Sequence, residues 1–162
     1  MKYFKISFSI FLVLCITRFI PHPPNFTSLL ALSFYVPAIY GIKYILPVIL
    51  SFFLTDALIG FHNLVFFTWG SVVLIGLISK YFFKTIFLRL IGTVLSSILF
   101  YIITNYGVWL MGVYEFSING LIQSYILAIP FFKYTLLSTL MFSLIIECII
   151  KLLKIKKLSY ST

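Results

Sequence analysis

Arg18 and Asp56 are charged residues that stand inside apolar runs of the sequence. Arg18 follows Lys5 by thirteen residues, which is roughly 20 Å along a helix. Asp56 follows Tyr44 by twelve residues, roughly 18 Å, so both side chains reach a similar depth. A lone charge near mid-membrane costs about 2.5 to 3.5 kcal/mol, and each therefore needs a partner or a wet cavity. We expect an Arg18–Asp56 pair, which either only locks two spans together or contributes to a ligand site.

Further polar and aromatic residues are predicted at the same end of the protein and complete the candidate ligand site: His22, Asn25, His62, Trp69, Asn105 and Trp109. In the stretch TRFIPHPPNFTS, residues 17–28, the prolines favour an extended path that carries His22 and Asn25 across the mouth of the site. The tryptophans would either stack on a ligand or belong to an interfacial aromatic belt. Asn105 is expected to end the fifth span, where its amide could cap the helix or bind a ligand. Two isolated histidines are a weak metal signal, so no metal and no other cofactor is expected.

The composition is that of an integral membrane protein. Of 162 residues, 62% are hydrophobic and only three are acidic, which is too much apolar surface for a soluble core to bury. A hydrocarbon layer of about 30 Å needs roughly 20 helical residues per crossing, so this length allows about six transmembrane helices. We predict a single all-α transmembrane domain, residues 1–162. Its spans are expected near residues 4–20, 26–42, 44–60, 64–80, 86–105 and 134–153.

The positions of the basic residues predict the orientation. With the N-terminus in the cytoplasm, ten lysines and arginines fall inside and only Arg18 and Lys133 fall outside. Both termini are then cytoplasmic, and the candidate site lies near the outer face. The segment 118–130 is too short to cross, so it is predicted to be a short extra helix on the outer face that ends at Pro130.

The net charge of +9 follows from these topology signals and from contacts with membrane lipid, so no nucleic-acid partner is expected. The terminal KLLKIKK is expected to lie on an anionic inner leaflet. A composition rich in Ile, Lys, Phe and Tyr favours a bacterial inner membrane as the location.

Other local patterns lead to separate predictions. Pro37 and Pro47 are expected to kink or break the second and third helices. Glu147 is expected to pair with Lys151 four residues later, and Arg89 to extend towards the cytoplasm. The sequence has no Gly-x-Ser-x-Gly, His-Glu-x-x-His, phosphate-loop or dinucleotide motif, so we do not expect an enzyme.

Four segments, TRFIPHPPNFT, LTDALIGFHN, TNYGVWL and AIPFFKYTLLSTL, in this order resemble an uncharacterised family of small bacterial membrane proteins. That family is similar to the S components, the substrate-binding subunits, of energy-coupling factor (ECF) vitamin transporters. The resemblance implies six helices, a vitamin-like ligand bound near the outer face, and docking on a separate transmembrane partner that carries two ATPases. The matching motifs contain Arg18, His22, Asn25, Asp56, Asn105 and Trp109. S components commonly dock through small residues on the first helix, whereas this chain has the bulky run SFSIFLVLC there.

Two hypotheses follow from the sequence. The first is an S-component-like protein that captures a small water-soluble nutrient, of unidentified chemistry, at the outer face and helps to carry it inward. The alternative is a membrane scaffold or assembly subunit that binds no ligand and whose polar cluster only ties the helices together. A scaffold needs no cavity, so a closed and fully packed outer half would favour it.

Overall fold

The computed structural model describes residues 2–152, and over this range the protein is all-helical. The α-helices are α1 (Lys2–Phe19), α2 (Leu29–Tyr40), α3 (Ile45–Ile59), α4 (Val65–Ile78), α5 (Ile86–Leu110), α6 (Ile118–Ile126) and α7 (Ile129–Leu152). A short 3-10 helix at Ile42–Tyr44 precedes α3, and another at Ser79–Phe82 follows α4. Lys154, Lys156 and Lys157, which belong to the predicted lipid-binding tail, lie outside the described residues.

Four helical segments are long and apolar enough to cross a membrane: Ile42–Ile59, Val65–Phe82, Ile86–Leu110 and Ile129–Leu152. α1 is 18 residues long but contains three basic residues, and α2 has only 12 residues. Large apolar side chains such as Phe66, Phe87 and Leu144 are exposed on the outside of the bundle. These features are those of a membrane protein, in which lipid rather than water covers the apolar surface.

α2 is the central helix of the fold. It contacts α3, α4, α5 and α7, and eleven of its twelve residues are buried. Its apolar residues contribute to both core clusters, one with α1, α3 and α4, and the other with Ile75 of α4. A helix that is apolar on every side is a buried helix, and here the other helices provide the covering layer. α2 continues for three residues beyond Pro37, and Pro47 lies in the first turn of α3, so neither proline ends its helix.

α1, α3 and α5 end where α2, α4 and α7 begin, at one end of the bundle that we call the Arg18 end. α1 packs on α3, and α5 packs on α4 and α7. α6 lies against α5 at the same end, where the Tyr125 hydroxyl donates to the Ile102 carbonyl oxygen at 3.0 Å. Burial raises the pKa of the Tyr125 hydroxyl, so it stays a donor at neutral pH. The segment predicted to end at Pro130 in fact ends at Ile126, and Pro130 lies in the first turn of α7.

The prediction that Asn105 ends a helix is wrong. α5 continues to Leu110, and the Asn105 amide donates to the Tyr101 carbonyl oxygen at 2.8 Å within the same helix. Gly107 lies inside α5, where a Cβ atom would come 2.5 Å from the Phe67 ring of α4. The chain turns instead at Gly112, whose φ of 73° falls in the region that favours glycine. The missing side chain of Gly107 therefore allows α5 to pack closely on α4, and Gly112 makes the turn after α5.

The predicted Glu147–Lys151 pair is also wrong. The Glu147 carboxylate accepts hydrogen bonds from Arg89 Nε at 2.5 Å, Arg89 Nη2 at 2.7 Å and Tyr35 Oη at 2.7 Å. Glu147 and Arg89 are nearly buried, whereas Lys151 is exposed. Arg89 turns inward because a bidentate contact with a buried carboxylate is stronger than an exposed i to i+4 pair. This cluster joins α2, α5 and α7 at the opposite end of the bundle, which we call the Glu147 end.

Candidate functional site

Arg18 and Asp56 form the predicted ion pair. Arg18, in the last turn of α1, places Nη2 2.7 Å from Asp56 Oδ1 near the end of α3. The Asp56 side chain is completely buried, whereas the Arg18 side chain is 14% exposed. Arg18 Nη1 also donates to Thr55 Oγ1 at 2.5 Å, and the guanidinium lies 4.7 Å from the centre of the Phe52 ring. The Arg18 guanidinium therefore lies between the buried Asp56 carboxylate and a cavity at the Arg18 end.

Trp69 holds the other side of the carboxylate. Its indole Nε1 donates to Asp56 Oδ2 at 2.9 Å, which links α4 to the α1–α3 pair. The Trp69 ring also contacts Phe53 and Phe61 edge to face, with centroids 5.5 and 6.4 Å away. The sequence alone predicted either an interfacial aromatic belt or stacking on a ligand for Trp69. Its indole instead orients Asp56 from the side away from Arg18.

The hydrogen bonding of this ion pair is incomplete. Asp56 Oδ1 is buried and has no aligned donor among the described residues, although Arg18 Nη2 is close enough for a strong electrostatic contact. Two of the five N–H donors of a guanidinium are directed to Thr55 Oγ1 and the Phe52 carbonyl oxygen. The donor on Nε has no aligned acceptor within residues 2–152, and Nη2 is the nitrogen in contact with Asp56. Arg18 thus retains hydrogen-bonding capacity for another group.

Two adjoining cavities of about 310 and 300 Å³ lie at the Arg18 end. Arg18 and His22 line the second, Asn105 and Tyr101 line the first, and Asn25 and His62 line both. The cavities also share Thr68, Phe100 and Thr135. Every α-helix except α6 contributes to the walls, together with the loops that follow α1 and α3, and the cavities stay partly open at the surface.

The two histidines present different groups to the second cavity. His22 Nδ1 lies 2.7 Å from the Pro23 carbonyl oxygen, which can only accept, so this nitrogen carries the hydrogen. The neutral His22 ring then offers Nε2 as an acceptor. His62 Nδ1 accepts from the Leu64 backbone N–H at 3.2 Å, so its neutral ring carries the hydrogen on Nε2 and offers a donor. Within the described range, no group of three or more His, Cys, Asp or Glu side chains could hold a metal ion.

Hydroxyl groups line the cavities where sequence reasoning found no site residue. Thr68, Thr104 and Thr135 each donate their hydroxyl hydrogen to a backbone carbonyl of their own helix, at 3.0, 2.8 and 3.1 Å. Each hydroxyl oxygen therefore keeps its lone pairs as an acceptor on a residue of the cavity wall. The signal that could have revealed the α7 contribution is the spacing of Thr135, Ser138 and Thr139, which puts three hydroxyls on one face of a helix.

The loop after α1 is fixed over the second cavity. Asn25 adopts a left-handed backbone conformation with φ of 63°, which asparagine tolerates better than most residues. The Ser138 hydroxyl, whose nearer acceptor is the Thr135 carbonyl oxygen at 3.0 Å, lies 3.4 Å from the Asn25 carbonyl oxygen. The hydroxyls of Thr17 and Ser28 are 2.9 Å apart at the base of the loop. His22 and Asn25 are thereby held at the rim, where the proline-rich stretch was expected to carry them.

The structure brings five of the eight predicted site residues to the cavity walls: Arg18, His22, Asn25, His62 and Asn105. Asp56 and Trp69 lie behind Arg18 and orient it. Trp109 is separate from this group. Its ring stacks on Phe116 with centroids 4.3 Å apart, and its Nε1 donates to the Glu115 carbonyl oxygen at 3.2 Å.

A sequence model for a family of unknown function, DUF6580, matches residues 2–160. The chain belongs to the DUF6580 family. No curated protein and no solved structure significantly matches this DUF6580 chain. The cavities at the Arg18 end are the structural feature of this DUF6580 protein that indicates a function.

Proposed function

We propose that this DUF6580 protein binds a small water-soluble nutrient in the two adjoining cavities at the Arg18 end and takes part in its uptake across a bacterial inner membrane. The observation that carries the proposal is a pair of adjoining, partly open cavities of about 310 and 300 Å³, bordered by a charged residue, two histidines and two asparagines. Small-molecule sites commonly have volumes of roughly 300 to 1,000 Å³, with mostly apolar walls and a few placed polar groups.

The proposed orientation puts this cavity at the outer face. Five exposed lysines of the described residues lie towards the Glu147 end, namely Lys5, Lys43, Lys80, Lys84 and Lys151, and one, Lys133, lies at the Arg18 end. By the positive-inside rule, the Glu147 end would face the cytoplasm, together with both termini. α1 and α2 would complete six spans, the latter surrounded by protein and not by lipid. A nutrient would then enter from outside, beneath the loops that carry His22 and His62.

An ATPase-bearing partner of the ECF type would have to use a surface other than α1. The exposed face of α1 carries Phe4, Phe8, Leu12 and Ile16. These side chains prevent the close backbone approach that small residues allow. The proposal of ligand capture does not depend on such a partner.

The scaffold alternative rests on the Arg18–Asp56–Trp69 contacts, which tie α1, α3 and α4 together whether or not a ligand binds. These contacts explain the ion pair, but they do not require the adjoining cavities. Occupation of the cavities is therefore the property that separates the two functions.

The test is to purify the protein in mild detergent and identify retained small molecules by mass spectrometry. Thr104→Phe would place a ring in the first cavity, because Thr104 lines it and is 8% exposed. Ile102→Phe is the matched control on the same helix, because Ile102 is 50% exposed on the surface of the bundle. We expect a recurrent nutrient in the parent and in Ile102→Phe, and its loss in Thr104→Phe. A parent protein that retains no small molecule from any growth medium would favour the scaffold.

A further inference from the structure

The charged and hydrogen-bonding groups of the cavities differ between their two parts, and this difference restricts the ligand. At the second cavity, Arg18 is the only lysine, arginine, aspartate or glutamate among the described residues of either wall. Asp56 balances its charge but is fully buried behind it. The ion pair therefore acts as a dipole whose positive end faces the cavity, in surroundings of low polarity where such a field is strong.

Donors with no aligned acceptor concentrate at this positive end. Arg18 Nε has no aligned acceptor among residues 2–152, Arg18 Nη2 lies 2.7 Å from Asp56 Oδ1, and His62 offers Nε2–H. Arg18 Nη2 lies 2.7 Å from Asp56 Oδ1, so the ion pair is formed, and it leaves the Nε–H of the guanidinium free for another acceptor. A planar carboxylate matches the fork of an arginine and would use the donors that Asp56 leaves.

The first cavity has no lysine, arginine, aspartate or glutamate in its described walls. It shares Thr68, Thr135 and the His62 donor with the second cavity, whereas Thr104 lines the first cavity alone. Thr68, Thr104 and Thr135 present acceptor oxygens there, because each hydroxyl hydrogen is donated to the backbone. Aromatic rings surround these oxygens, including Phe100, which lines both cavities, and Phe132. This region suits a flat ring that carries an N–H donor.

We propose that the ligand class is a heteroaromatic monocarboxylate, whose carboxylate lies on Arg18 and whose N–H-bearing ring occupies the threonine-lined cavity. This assignment rests on the proposed function, since it names the chemistry of the same site. An amine ligand is disfavoured, because neither wall offers it a carboxylate and Arg18 repels it. The threonine-lined cavity would select a ligand by the shape of its ring, and Arg18 would select it by its negative charge.

Three probes that share one ring test the charge preference: indole-3-acetate is an anion, indole-3-acetamide is neutral and tryptamine is a cation. Binding to the purified full-length protein is measured by equilibrium dialysis. We expect indole-3-acetate to bind at least tenfold more tightly than tryptamine, with the amide between them. Equal or tighter binding of tryptamine would overturn the ligand class, as would the absence of binding by all three at millimolar concentration.

Charge variants identify the residue responsible. Arg18→Gln should remove the preference for the anion, and Arg18→Gln combined with Asp56→Asn should do the same without leaving a buried unpaired carboxylate. Lys133→Gln is the control, because Lys133 is an exposed cation near the start of α7 that lines neither cavity. An anion preference that survives in the folded double variant, or that falls equally in Lys133→Gln, would overturn the role of Arg18.

The ligand class and the proposed function fail separately. Retention of an amine or of an uncharged compound in the parent, lost in Thr104→Phe, would reject the monocarboxylate and keep nutrient capture. A parent that retains no compound and binds no probe would reject both.

Discussion

Removal of the negative charge from Glu147 should destabilise the protein more than any change to an exposed charge at that end. Glu147 accepts three hydrogen bonds, two from Arg89 and one from Tyr35, and its side chain is only 7% exposed. Glu147→Gln would leave the Arg89 charge in a site where its side chain is 15% exposed and without its counterion. Breaking one partner of a buried pair costs about 3 to 5 kcal/mol, because the other charge remains desolvated.

The free energy of unfolding can be measured by titration with sodium dodecyl sulfate in mixed micelles, with circular dichroism as the signal. A loss of about 3 to 5 kcal/mol in the free energy of unfolding corresponds to a fall in melting temperature of roughly 6 to 20 °C for a chain of this size. Tyr35→Phe removes only one hydrogen bond to the carboxylate and should cost about 1.5 to 3 kcal/mol. The double variant Glu147→Gln/Arg89→Gln removes both charges and should recover at least half of the loss.

Lys151→Gln is the internal control, because a local i to i+4 pair would make Lys151 the partner of Glu147. The structure predicts a change within about 0.5 kcal/mol for this exposed residue. A cost of less than about 1 kcal/mol for Glu147→Gln would contradict the buried pair of Glu147 with Arg89. A double variant no more stable than Glu147→Gln alone would also contradict it.

Two further predictions concern the Arg18 end and the packing of α5. Trp69→Phe should lower the free energy of unfolding by about 1.5 to 3 kcal/mol, since it removes the indole donor from a buried carboxylate. Trp109→Phe, which loses a hydrogen bond to a backbone carbonyl, should cost about half as much or less in the same assay. Gly107→Ala should cost about 1 to 3 kcal/mol, because its Cβ would come 2.5 Å from the Phe67 ring. Gly70→Ala should stabilise the protein by about 0.4 to 1 kcal/mol in thermal unfolding, since no neighbour beyond the adjoining residues and the backbone of α4 lies within 4 Å of an added Cβ. A loss of stability there would contradict the packing described for α4.

Helical rise alone predicted the Arg18–Asp56 pair, because each residue could be placed at a depth counted from its own helix end. The same arithmetic would have found the second buried pair. Arg89 lies five residues after Lys84 and Glu147 lies four residues before Lys151, so both are roughly one turn inside the same end. The i to i+4 rule gave the wrong partner because it considers one helix and ignores what a deeper side chain can reach across the bundle.

Other parts of the site depend on how neighbouring helices are rotated, which the sequence does not state. The contact between Trp69 and Asp56 requires the loop 60–64 to set α4 at one rotation relative to α3, and no local pattern specifies that angle. The cavity threonines are common residues whose hydroxyls bond to their own helix, so they resemble ordinary helix interior. Only packing shows that Thr104 and Thr135 face one space.

The burial of α2 has a consequence for biosynthesis. A helix of 12 residues is about 18 Å long, too short to span a hydrocarbon layer of about 30 Å by itself. Its neighbours α4, α5 and α7 leave the ribosome after it does. We therefore expect α2 to stay at the insertion machinery until the later helices cover it, and α7 is the last of these helices. A chain truncated before residue 129 would lack α7 and leave the side of α2 that contacts it uncovered.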